Sequence, residues 1–349
     1  VTLAEAGWSV LVLEAAPEAG GALRSGELTL PGHVHDLFAT NLNLFLASRF
    51  YRGHAVPLER HGFSPVRSER PFASAFRDGS ALCVSTDWEQ TLDELAANDQ
   101  ADAAGWRELR VLFRRLAPVL FGLYASRAPS LAMARTAAAG LRRLGLGGAS
   151  DLARLLASSS RELLDSFLAT EKAKALVAPW GMHLDFGPDV AGGAVFPFLE
   201  AFADQETGMS VARGGASRLV AALVALLAEH GGELRTSARV RRVLTGTGGR
   251  VAGVELDGGE RVLARRAVLA SVSPTALAGD LLAEGDLAPS ARRELLAYHY
   301  GPATMMVHLA LSAPLPWAAG ERLSSCAYVH VAASCDDLAR TYADALAGR

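Results

Sequence analysis

Cysteine is scarce in this chain of 349 residues: only Cys83, Cys326 and Cys335 occur. They share no metal-ligand or redox spacing, so neither a disulfide framework nor a zinc site is expected, no metal is called for, and a reducing cytoplasm is the implied setting. Lysine is scarcer still. Lys172 and Lys174 are the only two, arginine carries nearly all the positive charge, and the formal net charge is −3. That balance offers no electrostatic footprint for nucleic acid. No apolar run reaches the roughly 18 to 20 residues that span a bilayer, and no secretory signal opens the chain. There is also no Ser-His-Asp set or carboxylate pair to mark a hydrolase. Half the residues are hydrophobic and a fifth charged, which excludes global disorder, and the length allows two domains or one large domain with an insertion.

What is present is most informative at the start. Leu3 to Ala6 read as the last turn of a helix, Gly7 as its left-handed stop, Val10 to Leu13 as a parallel strand buried on both faces, and Glu14 as the acid where that strand ends. A carboxylate at this place can accept both ribose hydroxyls of an adenosine. The order is that of the second half of a dinucleotide-binding βαβ unit. No Gly-x-Gly-x-x-Gly loop precedes it, because the chain starts at Val1, inside the helix and without an initiator methionine. It is therefore expected to be a fragment of a larger enzyme and to bind a dinucleotide weakly or not at all, since the helix N-terminus that would hold the pyrophosphate is missing.

Two adjacent glycines, Gly20 and Gly21, follow the acid and allow close backbone approach to a bulky cofactor, with Arg24 placed to reach phosphate or stack near a ring system. This resembles the Gly-Gly-x-x-Arg signature of FAD proteins with the glutathione-reductase type of nucleotide fold. More narrowly, the run Leu13 to Ser25, with Gly32-His33-Val34-His35-Asp36-Leu37-Phe38 after it, resembles the phytoene desaturase-like (phytoene dehydrogenase-related) flavoprotein family. The resemblance implies FAD as cofactor, held by Glu14, Gly20, Gly21 and Arg24, and a backbone contact from Val240 to the adenine. It also implies that the segment containing His35 and Asp36 folds under the isoalloxazine. His35 is a candidate proton shuttle and Asp36 its neighbour, although a structural hydrogen-bonded pair is the favoured reading of both.

The expected fold is α/β: a partial glutathione-reductase-type, Rossmann-like FAD-binding domain (1–40 and 206–275) with a mixed-sheet and helical substrate domain (41–205 and 276–349). Phe72 to Phe76 and Ala81 to Val84, joined by Asp78-Gly79, predict a hairpin. Asp87 is placed to cap a helix beginning there, and 101–178 carries helical periodicity broken by Pro118, Pro129 and the glycines after Leu144. Between Pro179 and Gly215 the period is lost. That segment is expected to be irregular and to line a pocket, with Phe186, Phe196, Phe198, Phe202 and Met209 offering apolar surface and His183 and Asp185 as further polar candidates. A helix over 216–230, a strand at 233–236 and a meander over 238–263 follow, and 267–270 is expected to return to the parallel sheet. Ser273-Pro274 opens another helix, 303–311 reads as a strand, and 336–346 as a helix. In the resembled family a glycine-rich segment touching the flavin follows such a helix; here the chain ends at Arg349.

These features predict an FAD-dependent oxidoreductase, a desaturase or dehydrogenase, moving hydride from a largely apolar, isoprenoid or carotenoid-like substrate to flavin N5. An amine-oxidase-like flavoenzyme is the alternative within the same architecture, and a non-catalytic interaction scaffold the alternative outside it. The partners implied are a small apolar substrate and, for a long hydrocarbon, a membrane surface contacted peripherally by an otherwise cytoplasmic protein.

Overall fold

The computed structural model describes residues 1–302 and 304–349. Helix α1 (Thr2–Glu5) ends at Gly7, whose φ of 77° lies in the left-handed region, and strand β1 (Leu11–Leu13) follows. A single 3₁₀ turn at Gly21–Leu23 leads to β2 (Ser25–Gly26), antiparallel to β3 (His35–Asp36). Helices α2 (Asn43–Leu46) and α3 (Arg49–Arg60) then lead to β4 (Pro65–Ser68). The expected hairpin forms from β5 (Phe72–Ala75) and β6 (Ala81–Val84), with Gly79 at φ 82° in its turn. Asp87 caps α4 (Trp88–Asn98), its carboxylate accepting from the amides of Glu89 and Gln90.

Six helices follow: α5 (Gln100–Tyr124), α6 (Leu131–Ala157), α7 (Ser160–Asp165), α8 (Glu171–Val177), α9 (Pro179–Met182) and α10 (Val195–Thr207). Helix α10 corrects the expectation of an irregular, pocket-lining segment. Phe198, Phe202 and, just beyond the helix, Met209 are core residues packed with Trp106 and Phe113 of α5. Buried residues occur in an unbroken run from Pro197 to Phe202. Glu200, Asp204 and Gln205 are buried together with the apolar residues, so polar and apolar positions do not sort into an exposed and a covered face, and no amphipathic period can be read.

Strand β7 (Met209–Ala212) pairs antiparallel with β4, and α11 (Ser217–Glu229) leads to β8 (Glu233–Arg235), parallel to β1. The meander is β9 (Val240–Thr245), β10 (Val251–Leu256) and β11 (Arg261–Leu263). The last elements are α12 (Pro274–Ala276), capped by Ser273, α13 (Pro289–Leu296), β12 (Tyr328–Val331) and α14 (Cys335–Leu346). Strand β12 runs parallel to β5, which makes β12-β5-β6 a mixed sheet.

Three strand expectations are corrected. Strand β1 is not buried on both faces, for Leu11 is 39% and Val12 41% exposed. Residues 267–270 form no strand, and among the described residues the parallel sheet consists of β1 and β8 alone. Ala303 lies outside the described residues, and 304–311 is not a strand; Met305, Val307 and Leu309 are exposed. Among the described residues no strand beyond β8 stands beside β1 and none beside 267–270 or 304–311, and an apolar run pairs only where another edge stands beside it. Spacing along the chain also hid one proximity. Cys83 and Cys326 pack against the same small core of Ala73, Ala81 and Leu323 beside the β12-β5-β6 sheet.

The largest core joins α4, α5, α6, α8 and α10 to the β12-β5-β6 sheet. A second, between α3 and α11, holds Leu58, Phe63, Leu219 and Leu226, and a third lies under the meander. No described helix is long and apolar enough to cross a membrane.

Candidate functional site

The carboxyl ends of β1 and β8 lie side by side, because Leu13 is in parallel register with Arg235. Beyond them the two chains stay bonded. The Ala238 amide donates to the Glu14 carbonyl at 2.8 Å and the Ser237 amide to the Ala16 carbonyl at 2.9 Å. Ser237 takes φ 50° to make that bend. Glu14 and Val240 are thus brought to the same end of one sheet, 226 positions apart in sequence. One Glu14 carboxylate oxygen accepts the Ala16 amide at 2.8 Å, which fixes the side chain while it stays half-exposed.

Gly20 and Gly21 both stand in the positive-φ region, at 134° and 55°. A Cβ at Gly20 would lie 3.2 Å from both Arg24 Cγ and Val220 Cγ2, so the first glycine lets the turn seat against α11. At Gly21 a Cβ would meet nothing within 4 Å. Its backbone is bare toward open space, as a surface approached by a ligand requires. Arg24 Nε donates to the Gly21 carbonyl at 3.2 Å, which holds the guanidinium over the turn.

His35 and Asp36, expected as a bonded pair, are not bonded to each other. Successive strand residues point to opposite faces. His35 Nε2 lies 2.8 Å from Thr29 Oγ1, and its ring centroid is 5.4 Å from that of His308. Asp36 Oδ1 accepts from Ser25 Oγ at 2.5 Å and from the Ala216 amide at 2.7 Å, while Ser25 Oγ accepts from the Ser217 amide at 2.9 Å. Asp36 therefore caps the N-terminus of α11 from a distant segment. Gly215 permits this: a Cβ there would sit 2.7 Å from Ser25 Oγ.

The segment after β3 carries a cluster that sequence reasoning missed. Thr40 Oγ1 hydrogen-bonds the Tyr328 hydroxyl, and Tyr328 stacks on Trp180 with centroids 5.8 Å apart. His330 lies edge-on to Trp180 at 5.0 Å and to His183 at 5.8 Å. Both His330 nitrogens and Trp180 Nε1 are buried without a hydrogen-bond partner among the described residues. Burial, with His183 adding, holds the His330 pKa down at about 3, so the imidazole is neutral. The available signal was the alternation Tyr328-Val329-His330, which puts both rings on one sheet face. The Asp185 carbonyl accepts the Tyr342 hydroxyl at 2.9 Å.

Below this cluster, Asn41 donates to Glu200 at 3.0 Å and Asn43 to Asp204 at 2.6 Å. Burial raises both acids, and the Glu200 charge adds to the shift at Asp204, which reaches about 8. These bonds anchor the 40–43 segment to α10.

The acid at the end of β1, the bare glycine and the arginine held over it offer a ribose acceptor, backbone clearance and a phosphate partner, a set that fits the adenosine and pyrophosphate of a flavin dinucleotide. Comparison with known proteins agrees. The sequence pattern of the family described as flavin containing amine oxidoreductase matches residues 1–341. Hydroxyneurosporene desaturase of Cereibacter sphaeroides is 29% identical over 291 residues, covering 82% of this chain and 55% of the desaturase. The chain thus spans about half the length of that curated relative. Among solved structures, the PF1083 protein of Pyrococcus furiosus aligns over 86% of this chain and 62% of its own, with TM-score 0.50 and 13% identity, a likeness of fold. An oxidoreductase from Methanosarcina mazei aligns over 75% of this chain and 53% of its own, with TM-score 0.47 and 19% identity. With its acid, paired glycines and returning strand in place, and the match running nearly end to end, the chain belongs to the flavin-containing amine oxidoreductase family, whose cofactor is FAD.

Proposed function

We propose that this protein is an FAD-dependent oxidoreductase that desaturates a largely apolar substrate. The observation that carries the reading is the Thr40–Tyr328 hydrogen bond, which ties the segment that follows the paired-glycine turn to an aromatic, uncharged cluster of Trp180, Tyr328 and His330. Bound FAD supplies the hydride acceptor. Glu14 binds the ribose hydroxyls, Gly20 and Gly21 give the backbone clearance, Arg24 faces the pyrophosphate, and the Val240 backbone meets the adenine. Trp180 and Tyr328 orient an apolar chain and keep water away from it. His330, neutral through burial, places no charge against a hydrocarbon. A carotenoid-like substrate is supported by the desaturase relative. An amine substrate is the second reading, favoured by the Trp180–Tyr328 stack, since aromatic faces attract cations.

The test uses the protein expressed from its complete gene. A purified yellow protein absorbing near ~450 nm, a property of oxidised flavin, is expected, and anaerobic mixing with a polyene should bleach it where a primary amine does not. Glu14→Ala should weaken FAD binding about 10- to 100-fold, as loss of hydrogen bonds to a charged group does. A colourless protein, or FAD held equally by the variant, would reject the assignment. Bleaching by the amine alone would transfer it to the second reading.

A further inference from the structure

We propose that the far end of the α5–α6 hairpin is a docking surface for an anionic lipid membrane. The first observation is charge. Residues 111–150 contain six arginines and no lysine, aspartate or glutamate. Arg114 pairs with Glu206, and Arg115 with Asp151 just beyond the stretch. Arg127, Arg135, Arg142 and Arg143 are exposed and make no ion pair among the described residues. A chain with net charge −3 thus concentrates positive charge, unpaired among the described residues, on one pair of helices.

The second observation is apolar exposure at the same place. Tyr124 is 72%, Leu131 66% and Leu146 95% exposed. Leu131, Ala134, Ala138 and Leu141 recur at three- and four-residue spacing and are all exposed, so they form one open stripe on α6. Arg135 and Arg142 flank that stripe. Gly145, at φ 66°, breaks the helix just before Leu146 and turns that side chain outward. The inner side of the hairpin is closed: a Cβ at Gly140 would lie 2.6 Å from Val119. The exposed stripe is therefore what remains after α5 and α6 have packed on each other.

An apolar stripe bordered by arginines suits the boundary between lipid headgroups and acyl chains, with the leucines inserted and the guanidiniums at the phosphates. The charge selects this patch over the other exposed apolar stretch. Residues 294–321, which hold Met305 and Leu309, contain no lysine or arginine. The inference goes beyond the flavin chemistry and does not depend on it, because the assay reads partitioning rather than turnover.

The experiment is flotation of the protein with vesicles of phosphatidylcholine plus phosphatidylglycerol, and with vesicles of phosphatidylcholine alone. Binding is expected only to the former and should fall as salt is raised. Each arginine near an anionic surface contributes about fivefold in partitioning, so Arg127→Gln with Arg135→Gln should weaken binding about 30-fold. Arg127→Lys with Arg135→Lys, which keeps the charge, should restore it. Leu131→Asp with Leu146→Asp should abolish binding, and Met305→Asp with Leu309→Asp should leave it unchanged. All these side chains are exposed, so the melting midpoint should hold across the set. Equal binding to the neutral vesicles, indifference to the hairpin variants, or loss in the Met305/Leu309 variant would overturn the proposal. So would a stable dimer, seen by light scattering, that Leu131→Asp dissolves while vesicles remain unbound.

Discussion

Asp204 is 1% exposed, with one carboxylate oxygen held by Asn43 and the other buried without a partner among the described residues. Its pKa, pushed from 3.8 up to about 8, means that folding retains a proton that the unfolded chain releases above about pH 4. The stability tied to this proton is complete below the unfolded value and is lost as pH rises toward 8, on the order of a few kcal/mol. Asp204→Asn, which cannot titrate, should flatten that loss; urea unfolding at pH 5 and pH 8 measures it, and parallel losses in both proteins would refute it. His330 acts in the opposite sense. Its depressed pKa of about 3 lets the unfolded chain take up a proton first, so stability falls as pH drops below the ordinary histidine value of 6.5. Neither residue is conspicuous in the sequence. A buried acid and a buried imidazole look like any others until the walls around them are known.

At the scale of elements, two predictions set local preference against context. Gly105 lies inside α5, where alanine is intrinsically better by about 1 kcal/mol. A Cβ there would stand 1.7 Å from the Phe167 carbonyl oxygen, so the clash must win. Gly105→Ala should lower stability by about 3 kcal/mol or more, visible as a fall in melting midpoint; a rise would show that the α5 contact had been misjudged. Asp36 caps α11 from outside the helix. Asp36→Ala should cost about 1 to 2 kcal/mol, whereas Asp36→Asn, which keeps an acceptor oxygen, should cost less. Equal losses would remove the capping role. The helices themselves were legible: α4, α11 and α14 begin at or within two residues of their expected starts, because apolar period and caps are local signals. Helix α10 was not, since polar Glu200, Asp204 and Gln205 are buried beside its apolar residues and blur the period.

Across the whole molecule, protection should follow the cores. Amides of α5 and α10 sit in the largest hydrophobic cluster and should exchange slowest. Residues 304–311 have no backbone pairing among the described residues and carry exposed apolar side chains, so they should exchange within the dead time of a mass-spectrometric experiment. Slow exchange there would reveal a cover that the described residues do not supply. The same contrast separates the readable from the unreadable in the site. Glu14, Gly20, Gly21 and Arg24 fall within eleven consecutive positions and their spacing alone suggests a nucleotide groove. The aromatic cluster draws Thr40, Trp180 and Tyr328 from segments more than a hundred residues apart.

The sequence by itself determined the starts of α4, α11 and α14, the hairpin and the meander, because each rests on a turn, a cap or a period written into neighbouring residues. Only the tertiary structure decided that Phe198 and Phe202 are core, that Asp36 caps a helix, and that Tyr328 and His330 face Trp180. Those outcomes depend on which surfaces meet across long loops, and burial and pairing are properties of the meeting rather than of either segment alone.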